Sequence, residues 1–138
     1  MRICGDYKVT LNQQINIDQY PLPRPKELFA ALAGGEQFTK IDLSEAYLQM
    51  EVDDASKELL TINTHKGLYR MNRLPFGVAS APAIFQNVMD QVLNGLEGIG
   101  GFLDDIIVTR KTKAVHLANL EKVLKKLKIR PMSAKRKM

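Results

Sequence analysis

Apolar residues in this chain gather in short runs and stripes, never in long blocks. Residues 37–43 (Gln-Phe-Thr-Lys-Ile-Asp-Leu) read as a buried strand. Residues 58–64 and 68–73 read as a hairpin around Lys66-Gly67, with Leu60 and Ile62 on one face, and Tyr69 and Met71 on another. The clearest helix begins near Ser80, which can cap it, with Pro82 tolerated in its first turn. Its stripe runs Ala81, Ile84, Phe85, Val88, Met89, Val92 and Leu93, and Gly95 can close it. Residues 99–103 and 106–109 form a second predicted hairpin, with Asp104-Asp105 at the turn. A last amphipathic helix covers roughly 114–128, with Leu117, Leu120, Leu124 and Leu127 inward and lysines outward.

Upstream of these, residues 1–9 look extended, and Tyr20-Pro-Leu-Pro-Arg-Pro25 is a stiff connector because its prolines fix φ. A short helix over 26–33 stops at Gly34-Gly35. The order predicts one domain of the α+β class, an antiparallel sheet with helices packed on one face.

Two apolar runs carry acids where charge is unexpected. One is Phe38-Thr39-Lys40-Ile41-Asp42-Leu43, the other Gly101-Phe102-Leu103-Asp104-Asp105-Ile106-Ile107-Val108. A carboxylate leaving water must be neutralised, hydrogen-bonded or metal-bound. If the two strands are neighbours, Asp42, Asp104 and Asp105 come close together, and a divalent cation is the usual remedy for their repulsion. Hard oxygen donors of this kind suit Mg²⁺ and phosphoryl transfer, and two ions about 4 Å apart would serve nucleotide polymerisation. Successive strand residues face opposite ways, so Asp104 is expected to be the principal ligand beside Asp42. The plainer alternative is that Asp-Asp is a favourable turn pair, and that Asp42 merely caps the segment after its strand.

Composition narrows the field. With 45% hydrophobic and 25% charged residues, the chain is globular, and no apolar stretch reaches the roughly 20 residues of a membrane span. Cys4 is the single cysteine, and neither it nor His65 and His116 belongs to a metal-ligand cluster, which argues against zinc. The net charge of +5 is unevenly placed. Of 20 basic residues, eight lie in 122–138 beside no acid, leaving twelve against 15 acids in 1–121. That basic end could engage nucleic-acid phosphates, or it is a solvated helix face and tail.

Smaller features point the same way. Leu74-Pro75-Phe76-Gly77-Val78-Ala79-Ser80 is a loop entering the best helix, suited either to a phosphate ligand or to simple capping. Tyr47 could pack against a sugar ring or belong to the core, and Arg2 could reach a triphosphate or be a surface charge.

Together these segments resemble the reverse transcriptases of retroviruses and of LTR retrotransposons, the gypsy class above all. The carriers are Arg2-x3-Asp6-Tyr7-Lys8-x2-Leu11-Asn12, Tyr20-Pro21-Leu22-Pro23, and Phe38-x3-Asp42-Leu43-x2-Ala46-Tyr47. Leu74-Pro75-Phe76-Gly77-Val78-x-Ser80-Ala81-Pro82-x2-Phe85-Gln86, Phe102-Leu103-Asp104-Asp105-Ile106 and His116-Leu117-x2-Leu120 complete them. The resemblance implies a polymerase palm, ferredoxin-like, with part of the fingers over residues 1–129 and a non-matching basic tail over 130–138. It implies that Asp42, Asp104 and Asp105, with the Leu43 carbonyl, bind two Mg²⁺ ions, Mn²⁺ being a possible substitute. Glu45 and Ala46 would offer main-chain N–H groups to the triphosphate, and Tyr47 would exclude a ribose 2′-hydroxyl. Phe76 and Gly77 would contact the incoming sugar, and Arg2 would lie over the base. The implied partners are an RNA or DNA template–primer and a dNTP, not a membrane. The implied setting is a cytoplasmic retroelement particle, with the nucleus also possible and secretion not expected. The implied parent is a longer polyprotein with ribonuclease H and integrase.

Departures from that pattern matter too. Phe102 stands where the family has a tyrosine, Gly100-Gly101 replace β-branched residues, and the sequence leaves the pattern after about Ile129. A truncated palm is therefore expected to be weakly active or inactive alone. The competing reading is a non-catalytic remnant that holds nucleic acid through its lysine-rich end. A phospho-acceptor domain with an acidic pocket would want alternating βα units, which the hairpin signals disfavour.

Overall fold

In the computed structural model of the chain, the structure describes residues 4–16 and 19–129. Two antiparallel sheets and four α-helices are arranged in the order α1 (Pro25–Leu32), β1 (Gln37–Asp42), α2 (Asp54–Leu59), β2 (Thr61–Thr64), β3 (Gly67–Arg70), α3 (Ala81–Leu93), β4 (Ile99–Phe102), β5 (Asp105–Arg110) and α4 (Lys113–Ile129). Short 3-10 turns lie at Leu11–Gln13 and Ala46–Gln49. Strands β1-β5-β4 make the main sheet, and β2-β3 a separate hairpin.

Helix α3 organises the core. Its apolar stripe is buried as the 3.6-residue period requires, with Phe85 and Met89 fully enclosed beside Met50, Leu60, Ile106, Val108 and Val123. Ser80 stands at the N-cap position, but its main-chain carbonyl, not its side chain, serves the first turn by accepting the Ile84 N–H. Gly95, at φ +79, ends the helix in the left-handed region.

The glycines of β4 show how the sheet is sandwiched. A Cβ on Gly101 would meet Leu93 of α3, whereas one on Gly100 would touch Leu28 and Leu32 of α1. Adjacent strand residues face opposite ways, so α3 and α1 lie on opposite faces. Helix α4 joins α3, because His116 Nε2 lies 2.7 Å from Thr39 Oγ1, and Thr39 shares the face of Val108. The antiparallel α+β class is as expected. Its helices, however, divide between both faces and leave the Asp42 end of one face open.

Several expectations need correction. The strand over 37–43 is an edge, not a buried element: among the described residues it pairs only with β5, and Phe38 is 58% exposed. Residues 58 and 59, expected to begin a strand, instead end α2, which Asp53 caps by accepting the Ser56 N–H (2.9 Å) and hydroxyl (2.8 Å). In the β2–β3 hairpin Ile62 pairs with Tyr69, so those two share a face. The second hairpin turns at Leu103-Asp104, since Phe102 pairs with Asp105. On α4 the inward residues are His116, Asn119 and Val123, with Leu120 and Leu127 partly buried; Leu117 and Leu124 are about half exposed. Residues 4–7 join no strand, although Tyr7 is buried. No helix among the described residues is long and apolar enough to cross a membrane.

The α2 cap yields a pH-dependent expectation. Burial pushes the Asp53 carboxyl up, but its hydrogen bonds, those from Ser56 foremost, outweigh that and hold it below its ordinary 3.8. Asp53→Ala should cost about 1 kcal/mol at pH 7, read from urea midpoints. A group with a lowered folded value stabilises above its unfolded pKa and loses that contribution as pH falls through the folded one. The wild-type advantage should therefore fade below pH 3.8.

Candidate active site

Asp42 ends β1, Asp105 begins β5, and the two are direct cross-strand partners. Partners share a face, so both carboxylates stand on the same open side of the sheet. Asp104 sits in the adjoining turn, where its carbonyl accepts a 2.8 Å bond from the Leu43 N–H. That bond carries the pairing one residue beyond β1 and fixes the turn against it. Leu103, the other turn residue, adopts φ +52, a left-handed conformation that costs a leucine about 1–2 kcal/mol.

Opposed carboxylates repel, and Lys40 offsets them. It lies two residues before Asp42 on the same face, with Nζ 3.0 Å from Asp105 Oδ1. The hydrogen bond and charge of Asp105 push the Lys40 ammonium above its ordinary 10.5, and Asp42 and Asp104 add to the shift. Sequence reasoning gave Lys40 no role, although its i, i+2 spacing from Asp42 signals a shared face.

An aromatic wall borders the acids. Tyr47 lies in the 3-10 turn that comes after Glu45, itself left-handed at φ +51, with Ala46 buried. Its ring centre is 5.1 Å from Phe76 and 5.5 Å from Phe85. Burial raises the Tyr47 pKa, and the charge of Asp104 adds to this, so the phenol is neutral at physiological pH. Phe76 leads into Gly77, whose φ of +98 and whose approach to the Gly5 carbonyl leave no space for a side chain. Asn12 clamps this loop, donating to the Gly77 carbonyl and accepting from the Ala79 N–H, each at 2.9 Å. Asn12 is a second residue given no role from sequence, because its partners lie more than 60 positions away.

Thus the structure gathers Asp42, Leu43, Asp104 and Asp105 at one sheet end, with Tyr47 and Phe76 alongside; Arg2 lies outside the described residues. Among the described residues no group of three or more His, Cys, Asp or Glu side chains is gathered tightly enough to hold a metal unaided. The donor chemistry still fits Mg²⁺, which takes one or two carboxylates and completes its shell with water and substrate phosphates.

The family model for "Reverse transcriptase (RNA-dependent DNA polymerase)" matches residues 4–137. The chain belongs to the reverse transcriptase family. It is 38% identical over 128 residues to an uncharacterized protein of Caenorhabditis elegans, covering 92% of this chain. It is 35% identical over 127 residues to the retrovirus-related Pol polyprotein from transposon 412 of Drosophila melanogaster, covering 91%. This reverse transcriptase domain spans only 10% of each of those relatives. Among solved structures, it superposes on the foamy viral protease–reverse transcriptase in complex with RNA/DNA hybrid, with TM-score 0.80 and 25% identity. That match covers 88% of this chain and 16% of the foamy viral one. The retroelement reverse transcriptase resemblance read from the motifs is therefore correct, as is its α+β fold.

Two substitutions test the site's construction. In an NMR pH titration, the Lys40 ammonium should deprotonate above 10.5 and move back toward that value in Asp105→Asn. Its raised pKa means the pair's contribution is complete below 10.5 and disappears only as pH climbs through the folded value. Gly77→Ala should lower stability by at least about 1 kcal/mol in chemical denaturation, since both φ and the Gly5 carbonyl oppose a Cβ.

Proposed function

We propose that this domain carries the nucleotidyl-transfer site of a retroelement RNA-directed DNA polymerase. The observation that carries this reading is the β1–β5 register, with Asp42 opposite Asp105 and the Asp104 turn bonded to Leu43. In the proposed reaction a primer 3′-hydroxyl oxygen bonds to the α-phosphorus of a dNTP, and the bond to pyrophosphate breaks. Asp42, Asp104 and Asp105, with the Leu43 carbonyl, would hold two Mg²⁺ ions, or Mn²⁺ in their place, Asp104 being the principal partner of Asp42. When bound, such ions supply positive charge where the attacking and leaving oxygens become anionic.

The chain's own residues do the positioning. Tyr47, braced by Phe76 and Phe85, offers a rigid wall against which a ribose 2′-hydroxyl would collide. Main-chain N–H groups of Glu45 and Ala46 would face the triphosphate, Phe76 and Gly77 the incoming sugar, and Arg2 the base and phosphates. Most of the rate enhancement is then alignment and charge neutralisation.

The proposed partners are a dNTP and a template–primer, in keeping with the RNA/DNA hybrid bound by the foamy viral enzyme. The proposed context is a longer polyprotein that also carries ribonuclease H and integrase, in keeping with the Pol polyprotein relatives. Residues 1–129 would hold the polymerase site, although the family match runs on through the basic residues to 137.

A primer-extension assay with Mg²⁺ or Mn²⁺ tests this. The 138-residue chain should extend a primer weakly or not at all, and Asp42→Asn should abolish any extension. Processive synthesis would overturn the expected weakness, and extension that survives Asp42→Asn would overturn the site. Exposed Lys122, Lys125 and Lys128 on α4 favour a second reading, non-catalytic nucleic-acid binding. Salt-sensitive binding that persists in Asp42→Asn with Asp104→Asn, but vanishes on deleting residues 122–138, would select it.

A further inference from the structure

The turn that carries Asp104 rests on a buried amide. Gln86, on the inner face of α3, is 0% exposed. Its Oε1 accepts the Leu103 N–H at 2.8 Å, and its Nε2 donates to the Gly101 carbonyl at 3.2 Å. The same Nε2 donates to Asp90 Oδ1 at 2.8 Å, one helical turn further along α3. Asp90 Oδ2 in turn accepts the Tyr20 hydroxyl at 2.6 Å, from the start of the proline-rich connector.

These bonds fix which way the amide faces. A carboxylate and a carbonyl are both acceptors, so together they select the NH₂ end of Gln86. The carbonyl end is then left for the Leu103 N–H. Leu103 is the left-handed residue of the turn, and it stays in that costly conformation only if its surroundings hold it there. A reversed or absent amide would leave a partly buried N–H without an acceptor, beside a strained backbone.

We propose that Gln86 is a positioning residue for the Asp104 turn, its amide oriented by Asp90 and Asp90 in turn held by Tyr20. The connector before α1 is thereby tied, through one side-chain relay, to the hairpin tip that presents the acids. Its importance for catalysis rests on the polymerase reading above; the relay itself does not.

Amide hydrogen exchange by NMR on the full 138-residue chain tests the relay, with the Ile106–Val108 amides as the reference for global stability. Gln86→Leu removes every bond and should speed Leu103 exchange tenfold or more, about what one lost hydrogen bond implies. Should that variant not fold, Asp90→Asn and Tyr20→Phe, which alter exposed or half-buried groups, should each speed Leu103 exchange severalfold and leave the reference amides unchanged. Gln86→Glu should fare worse than wild type beside Asp90. Combining it with Asp90→Asn should recover part of the Leu103 protection, because the donor and acceptor have exchanged places. Leu103 exchange within twofold of wild type in Asp90→Asn and in every folded Gln86 variant would overturn the proposal.

Paramagnetic broadening by Mn²⁺ separates this result from the polymerase reading. Wild type should show broadening around Asp42 and Asp104 that Asp42→Asn removes and that Gln86→Leu or Asp90→Asn weakens. A wild-type chain that Mn²⁺ leaves unbroadened would overturn the polymerase reading while the exchange data still decide the relay.

Discussion

The pairing of β1 with β5 is the constraint on which the rest of this molecule depends. The two strands lie far apart in the chain, yet their antiparallel register sets Asp42 against Asp105 and brings the Leu43 N–H to the Asp104 carbonyl. Side chains alternate along a strand, so slipping the register by one residue would send one acid to the buried face and Ile106 to water. Ile106 and Val108 are fully buried under α3 and α4, which makes such a slip expensive. The acids are thus placed by hydrophobic burial on the opposite side of the same strands. Packing, not attraction between the charged groups, brings them together.

Electrostatics then has to tolerate that placement. The carboxylates stay near water, where repulsion is screened, and Lys40 supplies an opposite charge 3.0 Å from Asp105. Tyr47 and Phe76 bound the site on one side, while the Asn12 clamp and the close contact of Gly77 with Gly5 keep their loop in place. Elements that contribute no acid, α3 and the N-terminal segment, therefore determine the shape around the acids.

Much of this was legible in sequence wherever the signal is local. The α3 stripe, its Gly95 stop, the helix before Gly34-Gly35 and both hairpins emerge from short-range periodicity and turn chemistry. Structure and local pattern part where two local patterns compete. Asp53 is a sound cap, but Leu59-Leu60-Thr61-Ile62 resembles a strand and masked the helix before it. Leu117, Leu120, Leu124 and Leu127 make a more apolar stripe than His116, Asn119 and Val123. In the structure Thr39 engages His116 Nε2 and the Glu97 carbonyl accepts from Asn119, so each of these side chains has a polar partner in the interior, while His116 Nδ1 is buried with none. The hairpin turns one residue earlier than its Asp-Asp pair suggests, because nothing in the sequence marks a leucine as left-handed. The acids at this sheet end stand out in the sequence by their apolar context. Their mutual arrangement, and the parts played by Lys40, Asn12 and Gln86, depend on partners distant in the chain.

Strand β1 is the outer strand of its sheet, and that position has a cost. Its far side carries a row of main-chain donors and acceptors that face no neighbouring strand among the described residues, next to a well-exposed Phe38. Such a margin invites a second molecule to add itself as another strand, and proteins commonly deter this with a lysine in the middle. Lys40 occupies that spot. One ammonium group thus balances the acids and also sets a charge on the exposed margin of the sheet.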